Sequence, residues 1–147
     1  MKQLSEHFTL EEFEHSDTAK RLNIINHVPD ELLPNAIHTA QCMEKVRALL
    51  GHHPLTINSG YRCQELNLAV KGSATSDHMQ AWAVDFVCPA FGIPLDIVHA
   101  IEKSGIEFDQ CIQEGTWVHI SFNPLNRRLV MTAHFDVAGN ATYTKGA

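Results

Sequence analysis

Ala83-Val84-Asp85-Phe86-Val87-Cys88 is an apolar run of strand character with one carboxylate set into it. Strand side chains alternate between faces, so Val84, Phe86 and Cys88 point one way and Ala83, Asp85 and Val87 the other. An ionised carboxylate among such neighbours is costly unless a metal ion or an arginine compensates it. Trp117-Val118-His119-Ile120-Ser121-Phe122 repeats the pattern: Val118, Ile120 and Phe122 form an apolar face, while Trp117, His119 and Ser121 face what reads as a lined cleft. His78 precedes Asp85 in the polar stretch Ser76-Asp77-His78-Met79-Gln80, which reads as a loop entering the strand. Two imidazoles and one carboxylate, with a fourth position open, form the donor set of a catalytic zinc rather than a structural one, and the chain has no CxxC pair.

At 147 residues the chain is expected to form a single domain over 1–147, long enough for a real core. Hydrophobic content of 44% and charged content of 19% are those of an ordinary globular protein. A net charge of -6 argues against a nucleic-acid partner. No run approaches membrane-spanning length, so no membrane insertion is expected. The first residues, Met1-Lys2-Gln3-Leu4-Ser5-Glu6, lack the apolar core of a secretory signal, which points to a protein made in the cytoplasm. Cys42, Cys63, Cys88 and Cys111 are widely spaced and read as free thiols, suited to a reducing compartment. A monomer is expected.

Thr9-x-x-Glu12 is a capping box for a short first helix, and Ser16-Asp17-Thr18 caps a second. The clearest helix runs from about Pro34 to Leu50, with Ala36, Ala40, Met43, Val46 and Leu50 at helical spacing and Gly51 as its stop. A strand over 55–58 leads to Ser59-Gly60-Tyr61-Arg62, and a brief helix spans 64–70. Leu95, Val98 and Ile101 mark a further helix. The strands 108–113 and 117–122 are joined by the tight turn Glu114-Gly115-Thr116, which makes them a hairpin. A strand is expected within 128–137, and the tail from Gly139 is expected to fray. Strands without alternating crossover helices indicate an α+β fold with a mostly antiparallel sheet and helices packed around it.

Ser76-x-His78-x-x-Ala81-x-Ala83-x-Asp85 followed by Trp117-Val118-His119 resembles the SxHxxGxAxD…WxH signature of the M15 zinc peptidases. That group holds D-Ala-D-Ala carboxypeptidases, vancomycin-resistance dipeptidases and phage L-Ala-D-Glu endolysins, and the chain looks most like its short phage-type branch. Ser5-Glu6-His7-Phe8-Thr9, Ser59-Gly60-Tyr61-Arg62, Asn67, Phe108-Asp109-Gln110 and Asn126-Arg127-Arg128 extend the likeness over most of the chain. The resemblance implies a hedgehog/DD-peptidase-like fold. It implies Zn2+ held by His78, Asp85 and His119, and peptidoglycan stem peptides as substrate. It further implies action on the cell wall after phage-type release, or as part of a virion. Two departures stand out. The family pattern has Gly at Ala81, where glycine allows a backbone that alanine disfavours. Many members also carry an acid three residues before the last histidine, where this chain has Thr116.

Peptide hydrolysis at such a site needs a general base and a positive group. Glu114, in the turn before the His119 strand, is the favoured base, since members of this branch tend to carry a Glu there; Asp109 is the rival. Arg62 is the favoured positive group, because a guanidinium grips a carboxylate through two parallel hydrogen bonds and the matching arginine of the family contacts substrate. Ser76 is expected to bind substrate or orient His78, and Gln110 to line the cleft. Trp82 reads as a cleft wall or packing residue, and Arg127-Arg128 as a solvated surface pair. The alternative is a non-hydrolytic zinc-containing binding module or virion component with the same fold.

Overall fold

The computed structural model describes residues 2–147. Two short helices, α1 (Leu10–Glu14) and α2 (Asp17–Leu22), lead to the long α3 (Leu33–Leu49). Strand β1 (Thr56–Ser59), helix α4 (Gln64–Ala69), strand β2 (Ala83–Val87) and helix α5 (Pro94–Lys103) follow. The chain ends in four strands: β3 (Gln110–Gln113), β4 (Val118–Ser121), β5 (Leu129–Phe135) and β6 (Ala141–Lys145).

Local sequence accounts for the helices. Thr9 accepts from the Glu12 backbone N–H at 3.2 Å while Glu12 accepts from the Thr9 N–H at 3.0 Å, so the expected capping box opens α1. Pro34 sits in the first turn of α3, where its missing N–H costs nothing. The buried face of α3 carries Ala36, Thr39, Ala40, Met43 and Val46, the helical spacing seen in the sequence. Burying Met43 or Val46 fully contributes about 1.5–3 kcal/mol each.

The strands form one sheet of order β1-β2-β4-β3-β5-β6. Every neighbouring pair is antiparallel except β3 and β5, which run parallel, so the sheet is mixed rather than purely antiparallel. The parallel pair arises because β4 ends at Ser121 and β5 begins at Leu129, both opposite Gln110, so the chain crosses over the start of β3 before it pairs. Arg128 fixes that crossing: its guanidinium donates to the carbonyls of Ile106 and Glu102 beyond and at the end of α5, and lies 4.6 Å from the Phe108 ring centre. Arg127 donates to both oxygens of the buried Asp109 at 2.8 Å. The expected solvated surface pair is therefore two structural anchors. The tail is also corrected: residues 141–145 form β6, paired with β5 from Phe135↔Ala141 to Met131↔Lys145. Its side chains are exposed, so the backbone ladder and not a core holds it.

The core lies between the sheet and helices α3 and α5, built on Phe8, Phe13, Met43, Phe86, Ile97, Ile101, Phe108 and Ile120. All four cysteines are free, and Cys88 and Cys111 lie within this core. Burial pushes the Cys111 thiol up to about 12, which makes it an inert packing group. Among the described residues no helix is long and apolar enough to cross a membrane.

Candidate active site

Strand register brings Asp85 and His119 together. In the β2–β4 ladder Asp85 lies directly opposite His119, and β4 in turn sets His119 opposite Ile112 of β3. Directly opposed residues of an antiparallel pair hold their side chains about 4.5–5.5 Å apart at Cβ. His119 Nδ1 lies 2.9 Å from Asp85 Oδ1.

His78 arrives from a 3-10 turn, Asp77–Gln80. Ser76 caps this turn by accepting from the His78 backbone N–H at 3.2 Å. Ala81 ends the turn at φ 60° and ψ 25°, the left-handed conformation that alanine disfavours and glycine adopts freely. Thr39 of α3 donates to the Ala81 carbonyl at 2.7 Å, tying the turn to the scaffold helix. The His78 Nε2 then stands 3.2 Å from the same Asp85 Oδ1.

The protonation pattern explains what this trio can hold. His78 Nδ1 lies 2.6 Å from the Gly60 carbonyl oxygen, which can only accept, so Nδ1 carries the proton. Nε2 of the neutral ring is then a bare lone pair facing a carboxylate oxygen. Burial pushes the His78 pKa down despite the neighbouring Asp85, so the neutral ring is favoured. Burial alone would raise Asp85, but the two imidazoles beside it hold its carboxyl well below the usual range. Two electron-rich atoms thus face one another, an arrangement that a cation between them relieves. Donor atoms of His78, Asp85 and His119 all lie within 4.8 Å of one another. Tetrahedral zinc with bonds of about 2.0–2.1 Å sets its donors roughly 3.3 Å apart, close to the spacings to Asp85. The donor set therefore fits a zinc ion, and the Gly60 carbonyl is the outer partner that fixes the His78 ring.

The trio forms the floor of a cavity of about 860 Å³ that is also lined by Arg62, Ser76, Gln110, Glu114 and Trp117. His78, Asp85, His119, Arg62, Ser76, Gln110 and Glu114 all lie on this one cavity. Glu114 directly follows β3; its backbone N–H donates to the Trp117 carbonyl at 3.0 Å, and Gly115 takes the positive φ of 83° that the reversal requires. Burial pushes the Glu114 pKa up; His119 opposes this, and the Asp85 charge adds to it. Burial alone would lower His119, but its bond to Asp85 and the charges of Asp85 and Glu114 raise it. Asp109, the rival base, is committed to Arg127 and does not line the cavity.

Arg62 is more tightly held than expected. Nε donates to Ser59 Oγ and Nη1 to Asn67 Oδ1, both at 3.2 Å, while Nη2 donates to Asp85 Oδ2 at 3.3 Å. A guanidinium has five N–H donors, so two remain unused by these bonds, and Arg62 lines the cavity. The arginine that could have replaced a metal as the partner of Asp85 binds its second oxygen instead, leaving Oδ1 to the histidines.

Three features escaped the sequence reading. Trp82 lines a different cavity, with His38 and Cys42 of α3, and the wall beside the trio is Trp117. Ser121 does not line the cavity; it is buried with its hydroxyl unpartnered. Asn26 bridges three backbone groups, of Glu14, Tyr61 and Cys63, and so braces the loop that carries Gly60 and Arg62. A buried asparagine in an ordinary loop gives no local signal for that role.

No curated protein sequence matches the chain. A family model described as Peptidase M15 matches residues 6–121, a span that includes all three members of the trio, Glu114 and Arg62 but ends where β4 does. The chain belongs to the peptidase M15 family.

Proposed function

We propose that this protein is a zinc peptidase that hydrolyses peptide bonds involving D-amino acids in peptidoglycan stem peptides, reaching the wall after phage-type release. The observation that carries the reading is the convergence of His78, Asp85 and His119 at the floor of one cavity, with Glu114 and Arg62 on its walls. A zinc ion there would supply Lewis acidity and lower the pKa of a water molecule. Asp85 and the two imidazoles would hold it, with the Gly60 carbonyl keeping His78 in the correct tautomer. Glu114 takes the proton from the attacking water and later returns it to the leaving amine. Its raised pKa suits both halves of that task, since an acid with an ordinary carboxyl pKa gives a proton back poorly at neutral pH. The two unspent N–H groups of Arg62 grip the substrate carboxylate or carbonyl. Gln110 offers an amide to the substrate backbone. The acid that Thr116 does not supply is supplied by Glu114, and this disfavours the non-hydrolytic reading, since a binding module has no use for a proton-carrying carboxyl beside the trio.

The test is direct. Zinc-loaded protein is incubated with purified sacculi and the released fragments are weighed by mass spectrometry. Fragments cut at a bond flanked by a D-residue support the reading; intact stem peptides refute it. The identity of the fragments also separates carboxypeptidase from endopeptidase action.

A further inference from the structure

The cavity extends beyond the segment that matches the peptidase family. A single row of paired residues crosses the sheet: Asp85 of β2 opposite His119 of β4, His119 opposite Ile112 of β3, Ile112 opposite Met131 of β5. The first two belong to the trio, while Met131 belongs to the C-terminal β5–β6 hairpin, outside residues 6–121. Met131, Phe135, Asn140 and Tyr143 of that hairpin line the same cavity as the trio.

We infer that the β5–β6 hairpin is a distal substrate subsite, in which Phe135 and Tyr143 take a bulky uncharged group on the N-terminal side of the scissile bond. Several observations carry this. Phe135 is 48% exposed and Tyr143 53% exposed, so about half of each residue's surface is left uncovered by the protein. The Phe135 ring lies 6.2 Å from Trp117, which makes the aromatic wall continuous with the strand that carries His119. Among the cavity-lining residues of the hairpin none is charged, so the wall favours an uncharged group. Half-exposed aromatic rings at the mouth of a polar site supply large contact area at low entropic cost.

Sheet geometry gives the distance. Strands lie about 4.8 Å apart, so from the trio between β2 and β4 to the hairpin strands is roughly 12–17 Å. An extended peptide advances about 3.3–3.4 Å per residue, which sets the wall about four to five residues from the scissile bond. Direction follows from Arg62, which is bonded to Ser59 and Asp85 at the opposite end of the row. A substrate carboxylate held there sends the N-terminal flank toward the hairpin.

The inference rests on the peptidase reading, and the experiment keeps the two apart. Calorimetry on zinc-loaded Glu114→Gln protein, which blocks turnover, measures Kd for Nα-acetyl-L-Ala-γ-D-Glu-L-Lys-D-Ala-D-Ala and for the same peptide with a dansyl cap in place of acetyl. The capped probe is expected to bind about tenfold more tightly, roughly 1.4 kcal/mol. Phe135→Ala with Tyr143→Ala in that background abolishes the gain and leaves the acetyl probe unchanged. Val137→Ala, a fully exposed hairpin residue off the cavity, retains it. Equal binding of both probes, a gain that survives the double substitution, or equal loss of both probes overturns the inference. Cap-dependent binding by a protein that leaves sacculi intact would uphold the subsite and refute the peptidase.

Discussion

Gly60 joins the packing of the fold to the chemistry of the site, and Gly60→Ala tests that join. A Cβ added there would meet the Phe13 carbonyl oxygen at 2.7 Å and the Phe13 Cα at 2.8 Å, both backbone atoms that cannot swing aside. Overpacking of this kind costs about 1–3 kcal/mol. The shift also strains the Tyr61 N–H bond to the Phe13 carbonyl, now 2.7 Å, a bond contributing about 0.5–1.5 kcal/mol. The reduced freedom of alanine in the unfolded chain offsets about 0.4–1 kcal/mol. The net is roughly 1–3.5 kcal/mol, a fall in melting temperature of about 3–11 °C for a domain of this size. The Gly60 carbonyl holds the His78 ring, so zinc affinity should fall about 10–100-fold as well. Differential scanning calorimetry and a competitive zinc titration read the two effects, with Gly105→Ala, where a Cβ meets nothing within 4 Å, as control. A Gly60→Ala protein that melts within 2 °C of the parent, taken as about the error of a melting curve, and binds zinc as tightly would refute the proposed link between the α1 contact and the metal site.

Glu114→Gln should lower kcat about 10²–10⁴-fold while leaving one zinc bound, as measured by turnover and metal analysis. The base must be ionised to act, so the acid limb of the kcat/KM profile of the parent should lie above the ordinary glutamate value of 4.5, because burial raises this carboxyl. Asp109 is held below its ordinary value of 3.8 chiefly by its bonds to Arg127. A depressed carboxyl contributes stability that is present above the unfolded pKa and lost as pH falls through the folded one; urea midpoints should therefore decline below about pH 3.8, and Asp109→Asn should make that decline shallower, with Asp85 still contributing to it, at the expense of stability at neutral pH. Ala81→Gly should change stability by less than about 1 kcal/mol, since relief of about 1–2 kcal/mol of left-handed strain is offset by a lost buried methyl and added chain entropy; a large change in the urea midpoint would show that the turn is not strained as described.

What the sequence disclosed was local or periodic. The alternation around Asp85 and His119 gave their faces, and those faces placed both on one cavity. The Glu114-Gly115-Thr116 turn gave the β3–β4 hairpin, because a tight turn between two short strands leaves little choice of pairing. Thr9 and Pro34 gave the helix starts, which are set by a single turn of backbone. The misses were all long-range. The parallel β3–β5 pairing depends on where Arg128 anchors the returning chain, a contact to α5 more than twenty residues away. Strand β6 carries no buried side chain, so hydrophobic pattern could not reveal a strand held by backbone bonds alone. Asp109 looked like a candidate base because an isolated carboxylate in a sequence does not declare its partner; Arg127 is that partner, 18 residues away. The strain at Ala81 was legible as a departure from the family pattern, and the structure gives it a conformation.

Zinc-edge anomalous diffraction from crystals grown with zinc bears most directly on the site. One anomalous peak is expected, about 2.0–2.2 Å from His78 Nε2, Asp85 Oδ1 and His119 Nδ1. No peak between those three atoms in zinc-saturated crystals, or a peak on other residues, would contradict the metal centre on which the catalytic reading stands.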